Sequence, residues 1–258
     1  MEDFNLNGKF TVITGGSSGI GRQIALTFAG HGSNVAILDV NDEGRKTADE
    51  IKGKYKVEAK YFHCDISDYN SVKDTAVLIL DNFKRVDNLV CAAGYGSKVD
   101  IEQLTIEEWK KSFDINVNGI FYIVKSLLSQ MLKQKGANII LIGSATSVTG
   151  SGGGLHYAAS KVAQYGLLKG LSYELLSRGI RTNIITPHII DTPMLRKRYP
   201  DTPEVNEMLA KRTPIGRIGL PSDIANIALF LASDKSGYIC GADIVADGGA
   251  LYYMGLKK

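Results

Sequence analysis

Residues 10–21 read Phe10-Thr-Val-Ile-Thr14-Gly15-Gly16-Ser17-Ser18-Gly19-Ile20-Gly21, an apolar, β-branched run that breaks into a glycine-rich turn. The residues that follow, to Gly30, place apolar side chains at helical spacing. The stretch therefore predicts a strand, a tight turn and a helix of 19–30. Glycines let backbone approach an anion closely, and a helix N-terminus presents unpaired N–H groups and the positive end of its dipole. Alone, such a loop can be no more than a tight turn. The strand before it and the helix after it make it a cradle for a pyrophosphate, although its spacing is GxxxGxG rather than the commoner GxGxxG.

The same alternation continues outward. Runs at 34–39, 58–64, 86–94, 137–144 and 180–186 read as strands, with a last short one near 241–246. Amphipathic stretches at about 42–53, 68–84, 105–134, 156–178 and 221–232 read as helices. Strands alternating with helices predict an α/β fold: one Rossmann-like, doubly wound parallel sheet with helices on both faces, spanning 1–258 as a single domain. In such a sheet, ligands sit beyond the C-terminal strand ends. The segment 187–219 has weak periodicity and many Pro, Arg and Lys residues, and about 188–219 is read as a substrate lid.

Composition narrows the function. A net charge of +3 is too small and scattered for a nucleic-acid partner, and no apolar run is long enough for a membrane span. The N-terminus, MEDFNLNGKF, lacks the basic start and apolar core of a secretory signal. Cys64, Cys91 and Cys240 are odd in number and far apart, so neither a disulfide nor a metal site is expected. The expected location is the cytoplasm.

Asp39 ends the second strand, 18 residues after Gly21. A carboxylate there accepts hydrogen bonds from ribose hydroxyls and repels a 2′-phosphate, which favours NAD over NADP. Its bland alternative is a solvated turn residue or a helix cap. Arg22 is a weaker signal in the opposite direction.

Tyr157 and Lys161 stand four apart at the start of a helical stretch, so they share a face. A phenol with a reference pKa of about 10 is a poor base at neutral pH, and a neighbouring ammonium favours its phenolate. That suits a general base for alcohol oxidation. Such a pair is common on surface helices, but Ser144, at the end of the fifth strand, adds a hydroxyl where a substrate oxygen would lie.

With these residues in hand, the sequence resembles the short-chain dehydrogenase/reductase family over essentially its whole length. Thr14–Gly21 matches the family's TGxxxGxG and Tyr157–Lys161 its YxxxK. Ser144 falls at its catalytic serine, Asn116 at its catalytic asparagine, and Asp247-Gly248-Gly249 at its terminal DGG. The resemblance implies that Tyr157 exchanges the proton, Lys161 lowers its pKa and binds the nicotinamide ribose, Ser144 holds the substrate oxygen, and Asn116 supports a relay through water. Implied cofactor contacts are Gly15, Ser17, Ser18, Gly19, Ile20, Gly21 and Asp39 around the turn. Further along they are Asp65 and Ile66, Ala92, Ala93 and Gly94, Tyr157 and Lys161, then Pro187, Ile190 and Thr192. Two places depart from the pattern: Cys91-Ala92-Ala93-Gly94 replaces the family's NNAG, and Pro187-His188 replaces its Pro-Gly.

Substrate contacts are expected from Ser144, Thr146, Tyr157 and His188, although for His188 and His156 alike a packed or surface histidine is the commoner reading. Hydroxyl, imidazole and apolar groups together suit a small secondary alcohol or ketone, including a polyol or sugar alcohol. The run Arg196-Lys197-Arg198 reads as a solvated face or as a site for a carboxylate, phosphate or acyl-carrier thioester. The leading expectation is an NAD-dependent oxidoreductase. Its alternatives are a 3-oxoacyl thioester reductase using NADPH and a non-catalytic dinucleotide-binding protein. A homotetramer, or a homodimer, is implied by the resemblance.

Overall fold

The computed structural model describes residues 4–253. Seven parallel strands form one sheet in the order β3-β2-β1-β4-β5-β6-β7. The strands are β1 (Phe10–Thr14), β2 (Asn34–Asp39), β3 (Ala59–His63), β4 (Asn88–Cys91), β5 (Ala137–Ile142), β6 (Ile180–Pro187) and β7 (Asp243–Ala246). β1 lies between β2 and β4, with Ile13 opposite both Ile37 and Val90. The chain thus winds outward one way from β1 and then returns to wind the other way. The crevice at that reversal is where a ligand finds room.

Alternating side chains explain the two cores. Val12, Leu38, Leu89 and Ile139 face one way and pack with Val72, Leu127 and Leu168. Their neighbours Ile13, Ile37, Val90 and Ile140 face the other way and pack with Ile24, Phe28 and Ile224. Central strands covered on both faces are rich in apolar residues, with a few buried polar ones such as Asn88, Asn138 and Asn183.

The helices are α1 (Gly19–Gly30), α2 (Glu43–Lys54), α3 (Tyr69–Phe83), α4 (Ile106–Phe113), α5 (Gly119–Met131), α6 (Thr146–Thr149), α7 (Gly154–Leu175), α8 (Pro193–Arg196), α9 (Pro203–Ala210), α10 (Pro221–Ala232) and α11 (Ala250–Tyr253). Local chemistry sets several starts. Asp68 caps α3 by accepting from Asn70 N at 3.0 Å, and Thr105 caps α4 by accepting from Glu108 N at 3.1 Å.

Three expectations change. The single helix read at 105–134 is α4 and α5 joined by a π-helical turn, Asp114–Asn118. Apolar periodicity runs through a π turn almost unbroken, so the inserted residue was invisible. The strand read at 86–94 stops at Cys91, and Ala92–Gly94 form a loop instead. The aperiodic stretch 187–219 contains α8 and α9, each capped by a threonine and opened by proline; they are too short to show a period.

Candidate active site

A cleft of about 440 Å³ opens at the C-terminal ends of β1 to β4. Gly15 and Ser18–Gly21 form one wall, and Asp39, Asp65 and Ile66 form the next. Ala92–Gly94 supply the floor, with Thr192 and Met194 opposite. The cradle is shaped by glycine. A Cβ on Gly15, which holds φ +70°, would lie 2.7 Å from the Ala93 backbone; one on Gly21 would lie 2.2 Å from the Gly15 carbonyl oxygen. The turn therefore feeds directly into α1, where Ser18 makes no side-chain cap and leaves the helix N–H groups facing the cleft. This fits a dinucleotide, with its pyrophosphate at the α1 N-terminus.

Asp39 is held in place on both oxygens. Oδ2 accepts from Ser17 N at 3.1 Å and Oδ1 from Asn41 N at 3.0 Å, leaving lone pairs directed elsewhere. Arg22 is ion-paired to Glu50 on α2 rather than left beside Asp39. Ser17, expected as a contact, is buried and donates its hydroxyl to Asn41 O at 2.9 Å, so it shapes the turn from behind. Asp65 lines the cleft while Oδ1 accepts from the Ser67 hydroxyl at 2.6 Å. The departure from NNAG leaves no gap in the backbone: Ala92 N donates to Thr14 O and Ala93 N to Thr14 Oγ1, each at 3.2 Å.

Tyr157 lies in the first turn of α7, half-buried between two glycines. A Cβ on Gly153 or Gly96 would come within 2.1 or 2.6 Å of its ring. Lys161 Nζ sits 5.6 Å from that ring's centroid, on the same helix face. It donates to Ile142 O at 2.8 Å and to Gln164 Oε1 at 3.4 Å. Only 3.9 Å would separate it from a Cβ on Gly94, so the ammonium borders the cleft floor. Burial pulls its pKa down to about 8. Burial pushes the Tyr157 phenol up, and a hydrogen bond with Ser144 opposes that rise. Ser144 Oγ also accepts from Thr146 N at 3.2 Å.

Asn116 lies in the π turn and is fully buried. Its Oδ1 accepts from Tyr95 N and its Nδ2 donates to Tyr95 O, each at 2.8 Å, with Ser160 Oγ at 2.9 Å. Both ends of the side chain are thus engaged, and it pins the loop after β4 to α7.

The substrate-side residues divide. Thr146 opens α6 with its hydroxyl 3.4 Å from where a Cβ on Gly152 would be. His188 is half-buried; burial lowers its pKa against the opposing pull of Asp247. His156 is a packed histidine: fully buried, its Nε2 lies 3.2 Å from Ser97 Oγ, which donates to Glu108 Oε2 at 3.1 Å. Tyr95 donates to the same carboxylate at 2.8 Å. Pro187 and Ile190 do not wall the cleft. The Pro187 carbonyl accepts from Ala145 N at 2.8 Å, and Ile190 packs against Gly219 in the core. Arg196 is not a free anion site, since it pairs with Asp191 at 2.7 Å and donates to Asn206 at 2.7 Å. Sequence reading missed Glu108 and Gln164; only Gln164, three residues after Lys161, carried a local signal.

The family model described as enoyl-(acyl carrier protein) reductase matches residues 15–250. The chain belongs to the short-chain dehydrogenase/reductase family. It is an oxidoreductase that acts on CH–OH or keto groups. Among its relatives, oxidoreductase UcpA of Salmonella typhimurium is 37% identical over 95% of both chains. D-threitol dehydrogenase of Mycolicibacterium smegmatis is 35% identical, covering 96% of this chain and 94% of its own. A 3-oxoacyl-[acyl-carrier-protein] reductase of Thermotoga maritima is 33% identical over 95% of this chain and 98% of its own. A solved structure of an NAD(P)-dependent gluconate 5-dehydrogenase from Beutenbergia cavernae, described as putative and with NADP bound, superposes with a TM-score of 0.90 at 32% identity, covering 96% and 99%.

Proposed function

We propose that this short-chain dehydrogenase/reductase is NAD-dependent and interconverts a small secondary alcohol and its ketone, with a polyol or sugar alcohol as substrate class. The observation that carries the reading is the convergence of Ser144, Tyr157 and Lys161 beside the cleft floor at Gly94. Tyr157 moves the proton at the substrate oxygen. Ser144, beside the phenol, holds that oxygen in place. Lys161 favours the phenolate by charge and turns toward the nicotinamide ribose. Bound nicotinamide supplies the hydride chemistry. In this role Gly15, Gly19 and Gly21 take the pyrophosphate, Asp39 the adenosine ribose, and Thr146 and His188 the substrate.

The choice of NAD rests on Asp39, fixed in the cleft with Arg22 engaged elsewhere. A second reading, a 3-oxoacyl thioester reductase using NADPH, is supported by the acyl-carrier reductases among the relatives. Absorbance at 340 nm with both cofactors and a panel of alcohols and ketones separates the two. Preference for NADPH by about tenfold, roughly 1.4 kcal/mol, would remove the first. Tyr157→Phe tests the chemistry: turnover falls about 1,000-fold while NADH affinity stays within about threefold. Unchanged turnover refutes the role of Tyr157.

Exposed apolar residues on α5, on α7 and in the turn just after it, namely Phe121, Val162, Tyr173 and Leu176, support a homotetramer or homodimer. No described helix is long and apolar enough to cross a membrane. The free cysteines accord with a cytoplasmic location.

A further inference from the structure

Gln164 has no exposed surface and lies three residues after Lys161 on α7. A buried primary amide is costly unless both its ends find partners, and apolar side chains fill such positions without that requirement. Both ends of Gln164 do find partners, and both partners belong to the catalytic set. Nε2 donates to the Asn116 backbone carbonyl at 2.8 Å, and Oε1 accepts from Lys161 Nζ at 3.4 Å. The amide's orientation is fixed by chemistry, because only the oxygen can face an ammonium and only the nitrogen a carbonyl.

We propose that Gln164 is a positioning residue of the proton-transfer centre, its amide tying the Lys161 ammonium to the Asn116 carbonyl. The proposal rests on the reading of Tyr157 and Lys161 given above. An ammonium has three protons to place. One goes to Ile142 O at the end of β5 and one to Gln164, which directs the third toward the cleft floor at Gly94. Gln164 also joins the π turn to α7, so a shift of Asn116 moves Lys161 with it. Asn116's carbonyl is the acceptor at one end of this side-chain bridge.

The groups around Lys161 make its charge state a readable signal. Tyr157 faces it from the same helix, Asn116 from the π turn, and Ile142 O from β5. Burial is the sole cause of its lowered pKa, with no carboxylate or second cation acting on it. The bond from Gln164 stabilises the charged form, so removing the acceptor must lower the titration and adding a formal charge must raise it.

The test follows the Lys161 titration directly in the full-length protein labelled with [13Cε]lysine, with the resonance assigned by its loss in Lys161→Met. In the parent it titrates near 8. Gln164→Met, similar in volume but with neither acceptor nor donor, moves it down by about one pH unit; Gln164→Glu moves it up by at least about as much. A purely structural role would lower thermal stability in both variants without opposite shifts. Should Gln164→Met fail to fold, Gln164→Asn, one methylene shorter, draws the oxygen away and gives the same downward shift. A Lys161 titration that stays at the parent value in any folded variant overturns the proposal. NADH fluorescence titration at pH 7 checks that the cleft survives, with affinity within about threefold of the parent. The outcome separates from that of the underlying reading: if Tyr157→Phe keeps its turnover the mechanism fails, whereas unmoved Lys161 titrations beside an inactive Tyr157→Phe remove Gln164 alone.

Discussion

The glycine turn and the segment 188–219, read from the sequence as a lid, lie on opposite sides of one cleft and are held by different physics. In the turn, backbone packs on backbone: Gly15 against Ala93, Gly21 against the Gly15 carbonyl, with Asp39 anchored by N–H groups of Ser17 and Asn41. In the lid, side chains reach across loops. Arg196 binds Asp191 and Asn206, and Arg198 Nη1 donates to Gly152 O at 2.6 Å, joining the lid to the loop beside Tyr157. Backbone packing tolerates no extra atom, while side-chain bonds at the surface are individually weak and replaceable. The glycine-turn side of the cleft is thereby rigid, and the 188–219 side is adjustable.

That contrast breaks if the two regions respond alike to substitution. Gly21→Ala has the largest expected effect, because its methyl would sit 2.2 Å from the Gly15 oxygen. NADH affinity, read by fluorescence, falls by about 100-fold or more, the consequence of a backbone shift costing several kcal/mol. Near-normal affinity would show that the turn yields as easily as the lid.

Asp39→Ala removes a charged acceptor worth about 1.5–3 kcal/mol, so kcat/KM with NAD drops about 10- to 100-fold while that with NADP does not fall. A parallel loss with both cofactors would mean that Asp39 only braces the turn.

Lys161→Met sharpens the comparison in another currency, since the site's chemistry strains the fold. Lysine's pKa is 10.5 when free and about 8 here. Between these values the unfolded chain binds more protons than the folded one, so this residue's contribution to stability rises with pH across that window and is least favourable below about 8. The variant loses activity yet melts higher at pH 7, by about 1–2 kcal/mol after the orphaned Ile142 carbonyl is counted. The gain shrinks as calorimetry is repeated toward pH 10.5. A variant that melts lower at pH 7 would show that burial of this cation carries no net cost.

The smallest effect belongs to the lid. Arg198→Ala removes one bond to Gly152 worth about 1 kcal/mol, raising substrate KM about threefold to fivefold with cofactor affinity unchanged. A loss as great as that of Gly21→Ala would make the lid part of the rigid frame.

These differences match what could be read from the chain. The strand–turn–helix at 10–30 and the Tyr157–Lys161 spacing are local patterns, and both elements stand where they were read. The long stretch 105–134 concealed a π turn, because one extra residue scarcely disturbs an apolar stripe, yet that residue is what buries Asn116 against Tyr95 and Ser160. Arg196 reads as a member of a basic run, and only the fold supplies Asp191 and Asn206 as acceptors for its N–H groups. His156 could not be judged without Ser97, 59 residues away.

The sequence by itself determined the strands and helices, the glycine turn and the pairing of a phenol with a cation, since each depends on neighbours within a turn or two of the chain. Only the tertiary structure decided that the Asn116 carbonyl meets Gln164, that Arg22 meets Glu50 and that Arg198 meets Gly152. Those are contacts between residues far apart along the backbone, and their partners are chosen by packing and desolvation rather than by spacing.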